Sequence, residues 1–121
     1  MKIEDQVCSL ELAKRLKELG MKQDGNYFWE SVGDGIKSWH QLSLALICKY
    51  NGTEVAAFTV VELGEMLPGF TEYLFSPVSK EWRVCLIESE TGLPYRTTDK
   101  SEANARAKML IHLIEKGIVK P

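Results

Sequence analysis

Residues 8–29 read CSLELAKRLKELGMKQDGNYFW, and this stretch decides the fold class. The hydroxyl of Ser9 suits a helix N-cap, where it accepts a bond from a first-turn N–H that has no helical partner. Leu12, Leu16 and Leu19 recur at spacings of four and three, which places them on one face of a helix. Lys14, Arg15, Lys17 and Glu18 fall mostly on the other face. Gly20 ends the helix, because glycine enters the left-handed region without strain. Tyr27-Phe28-Trp29 then reads as an aromatic strand. A capped amphipathic helix that hands over to a strand points to a mixed α+β domain.

The rest of the chain continues the pattern. Val32 to Ile36 is expected to turn, with Asp34-Gly35 supplying the positive-φ pair of a tight hairpin. Over 38–50, Leu42, Leu44 and Leu46 alternate with Gln41, Ser43 and Ala45, which predicts a strand. A helix competes for the same residues, opened by Ser38 and Gln41 and closed by Asn51-Gly52. On the strand reading, Asn51-Gly52 is a second turn, leading into a strand through Val55 to Phe58. Thr59 and Glu62 have capping-box spacing and open a short helix through Leu63, Met66 and Leu67, stopped by Pro68-Gly69. An irregular segment follows. Trp82 to Ile87 reads as a strand, Glu90-Thr91-Gly92 as a turn, and Tyr95 to Thr98 as a partner strand. Asp99 and Glu102 repeat the capping spacing ahead of a last helix. Its face carries Ala103, Ala107, Leu110, Ile114 and Ile118, and Gly117 stops it. The expected architecture is one α+β domain over residues 1–121. A meandering, mostly antiparallel sheet packs against the N- and C-terminal helices, with a short middle helix between them.

Composition narrows the function classes. A chain of 121 residues, 45% hydrophobic and 26% charged, can bury a core of its own. Net charge is −2 and neither half carries a basic arm, so the bulk charge that phosphate binding needs is missing and nucleic acid is an unlikely partner. No apolar run approaches the ~18 residues of a membrane span, so no membrane partner is expected. The start, MKIEDQ, carries acids with no apolar stretch behind it, which predicts a cytoplasmic protein rather than a secreted one. Cys8, Cys48 and Cys85 are odd in number and widely spaced, the pattern of separate reduced thiols.

Four blocks carry a resemblance. SLELAKRLKELGMKQ (Ser9 to Gln23), Tyr27-Phe28-Trp29, AFTVVELGEMLP (Ala57 to Pro68) and EANARAKMLIHLIEKG (Glu102 to Gly117) resemble, in this order, a group of small hypothetical proteins of phages, prophages and bacterial mobile elements. Lys100-Ser101 stands where that group suggests acidic residues, and the segment from Gly69 to Val78 is peculiar to this chain. The resemblance implies a bacterial or phage origin and an accessory role. It implies no activity, cofactor or catalytic residue.

Tests for chemistry return structural explanations. No two of Cys8, Cys48, Cys85, His40 and His112 sit at chelate spacing, so neither metal nor cofactor is expected. Cys85 shares a strand face with Arg83, an arrangement that favours thiolate, but nothing marks His112 as its base. The carboxylate pairs Glu62/Glu65 and Glu88/Glu90 read as a cap and solvated residues. Gly33-Asp34-Gly35 lacks the spacing of a phosphate loop. One segment stands apart. No basic residue occurs between Lys49 and Lys80, while Glu62, Glu65 and Glu72 accompany Phe70, Tyr73 and Phe75. An acidic helix beside an aromatic loop fits a protein-docking surface, whereas the same aromatics could equally plug the core. The favoured reading is a small, non-catalytic interaction protein, monomeric or paired through a sheet edge. A nucleic-acid-associated regulator using Lys14, Arg15, Lys17 and Lys22 is the alternative. A small enzyme built on Cys85 or a carboxylate pair is the third class.

Overall fold

The computed structural model describes residues 2–32, 39–44, 54–87 and 94–121. A 3-10 turn (Ile3–Asp5) precedes α1 (Leu10–Glu18). Next come β1 (Tyr27–Val32), β2 (Trp39–Leu44), β3 (Val55–Ala56) and α2 (Val60–Met66). The chain continues through β4 (Glu72–Ser76), β5 (Glu81–Ile87), β6 (Pro94–Asp99) and α3 (Glu102–Glu115). The strands form two antiparallel sheets of three, ordered β2-β1-β3 and β4-β5-β6. The α+β class, the terminal helices and the short middle helix are as the sequence predicts.

Local signals set the helix ends. Ser9 Oγ accepts from the Leu12 amide, and Gly20 stops α1 at φ +95°. Leu16 is fully buried, and Leu12 and Leu19 pack beside it. The Thr59 hydroxyl and the Glu62 carboxylate satisfy each other's amides, completing the capping box of α2. Gly117 takes φ +77° after α3. Ile118 lies beyond that stop and is exposed, so it does not extend the helical face.

Three expectations change in detail. The N-cap of α3 is Ser101, whose hydroxyl accepts from the Asn104 amide, and not Asp99. Asp99 ends β6 opposite Trp82, so its backbone is committed to the ladder and the helix starts two residues later. Partial burial opposes its charge, but bonds from Lys108 and the Ser101 amide outweigh this and hold the carboxyl below its usual range. The irregular segment before β5 contains β4, paired along its whole length from Glu72 opposite Cys85 to Ser76 opposite Glu81. Residues 39–44 are a strand, as favoured, but the face that turns inward carries Ser43. Its hydroxyl donates to Glu30 Oε2 at 2.8 Å, while Leu44 stays exposed. The Asp34-Gly35, Asn51-Gly52 and Glu90-Gly92 turns, Glu88 and Cys48 lie outside the described residues.

α3 organises the core. Ala103, Ala105 and Ala107 are fully buried, and their small side chains let the helix approach the second sheet. There the Thr97 hydroxyl donates to the Ala105 carbonyl at 2.8 Å. Leu110 and Leu113 join Leu16, Phe58 and Leu63 in one cluster drawing on all three helices. The N-terminus of α1 is tied to α3 by the Ser9 amide, which donates to Asn104 Oδ1 at 2.7 Å.

Candidate interaction surface

α2, β4 and α3 meet at Arg106. Its Nη1 donates to the Val60 carbonyl at 3.0 Å, and its Nη2 pairs with Glu102 at 2.7 Å. The guanidinium lies 3.9 Å from the centre of the Tyr73 ring, a cation–π stack. Arg106 therefore pins the start of α2 and the middle of β4 onto α3. Gly64 leaves room for it, since a methyl group there would collide with Arg106 Nη1. On an unobstructed helix, glycine to alanine stabilises by about 1 kcal/mol. Here Gly64→Ala is expected to destabilise by about 1–2 kcal/mol, read as a lower urea midpoint.

This geometry sorts the candidate residues. Tyr73 belongs to the fold, half-buried beneath Arg106. Glu62 is also structural, accepting from the amides of Thr59 and Asn26. Glu65 and Glu72 are exposed on α2 and β4. Phe70 is 69% exposed in the turn before β4. Phe75 is 48% exposed and packs at a tilt on Trp82, ring centres 5.2 Å apart. The sequence reading missed Leu74 and Val78, at 52% and 94% exposure. The signal for Leu74 was present in Glu72-Tyr73-Leu74-Phe75, where apolar side chains occur at consecutive positions and so must emerge on both strand faces, whereas Val78 lies in the turn after β4.

β4 is an outer strand, and among the described residues nothing pairs with its free side. Phe75 and Tyr73 lie on the face toward α3, while Glu72, Leu74 and Ser76 share the other face with Arg83 and Cys85. A notch of about 210 Å³ opens at this edge, lined by Leu74, Phe75, Ser76 and Arg83. Arg83 Nε is buried there without an acceptor.

The remaining candidates do not assemble. Cys85 sits on the sheet face away from α3, whereas His112 packs on Tyr95 on the helix side, with ring centres 4.6 Å apart. Cys8 is fully buried, and that burial pushes its thiol up to about 11. A thiol reagent at pH 8 is expected to label Cys85 in the native protein and Cys8 only after denaturation, as peptide mapping would show. No three His, Cys, Asp or Glu side chains converge to hold a metal among the described residues. The basic residues of the alternative reading lie on the surface, three of them beside oxygens of the protein. Arg15 pairs with Glu18 and Glu115, Lys17 donates to the Glu54 carbonyl, and Lys22 pairs with Asp24. No described helix is long and apolar enough to cross a membrane.

No family model, curated protein or solved structure matches this chain.

Proposed function

We propose that this chain is a small, non-catalytic interaction protein that docks through β4 and the aromatic residues flanking it. The observation that carries this reading is the combination of a strand edge unpaired among the described residues with exposed Phe70, Leu74, Phe75 and Val78. An unpaired edge offers a row of N–H and C=O groups to another strand, and apolar side chains beside it add area to bury. The acidic neighbours Glu65 and Glu72 supply a polar rim. An accessory role in a phage or mobile element, acting in the bacterial cytoplasm, fits such a module. A nucleic-acid regulator has less support, because net charge is −2 and acids stand beside Arg15 and Lys22 on the surface.

The test is affinity capture from bacterial lysate with the wild type and with Phe70→Ala/Phe75→Ala. Both residues are exposed, so the variant keeps its core. Tyr73 is left unchanged because of its place under Arg106. A stoichiometric bound chain, retained by the wild type and lost by a folded variant, is the expected result. Equal retention by both would remove the aromatic surface from the reading.

A further inference from the structure

We draw no further inference here: the strongest candidate, the outer edge of β4 with the exposed Leu74 and Phe75 beside it, belongs to the surface already described, and nothing in the structure shows what covers it.

Discussion

Replacing Phe58 by alanine is expected to cost about 3–5 kcal/mol, enough to leave much of the chain unfolded at 37 °C. Phe58 is 2% exposed and is the largest of the fully buried side chains. It lies between β3 and the Val7–Thr59 bridge that precedes α2, and its carbonyl accepts from the Cys8 amide at 3.0 Å. Losing the ring opens a cavity among α1, α2 and α3 that the fixed backbone cannot collapse to fill. Thermal unfolding followed by circular dichroism checks this. A fall in Tm of only a few degrees would mean that the core repacks around the gap and that the helices are held less firmly than the burial implies.

Arg106→Ala is expected to cost about 2–4 kcal/mol by a different route. The side chains of Arg106 and Glu102 are 15% and 22% exposed, so removing the guanidinium leaves a carboxylate and the Val60 carbonyl short of partners in a partly buried site. The Tyr73 ring also loses its cover. Because Arg106 joins α2 and β4 to α3, the loss should be local before it is global. Amide exchange should quicken first in α2 and β4 and leave the middle of α3 protected. Glu102→Gln, which keeps a hydrogen-bond acceptor, should cost less than half as much. Equal losses for the two variants would indicate that charge, and not the three-way joint, is what Arg106 provides.

The parts of this fold legible in the sequence are those set by neighbours along the chain. Ser9, Gly20, the Thr59–Glu62 box and Gly117 act over three or four residues, and each stands where its chemistry predicts. The parts not legible depend on distant partners. The division into two sheets follows from which strands pair, and no local pattern records that β3 joins β1 while β4 joins β5. β4 itself is not legible because an outer strand with two partly wet faces needs no alternation, and its turn uses Lys80 in the left-handed region instead of glycine. Capping spacing points to Asp99 because spacing does not reveal that a residue already belongs to a strand. The candidate surface was half legible. Phe70 and Phe75 stood out by composition, and Glu62 by its capping role. The i,i+4 spacing of Glu102 and Arg106 marks the ion pair, but not the Val60 carbonyl and Tyr73 ring that Arg106 also reaches.

The claim that β4 is a docking strand is met most directly by photo-crosslinking in bacterial cells, with a photoreactive residue at position 74 and a control at position 14. Lys14 is exposed on α1 and far from β4 in the sequence, on a helix that packs on α3 and β3. The account predicts a strong adduct from position 74 to the docked chain and none from position 14. Position 74 without an adduct, or with one no stronger than that from position 14, would contradict it.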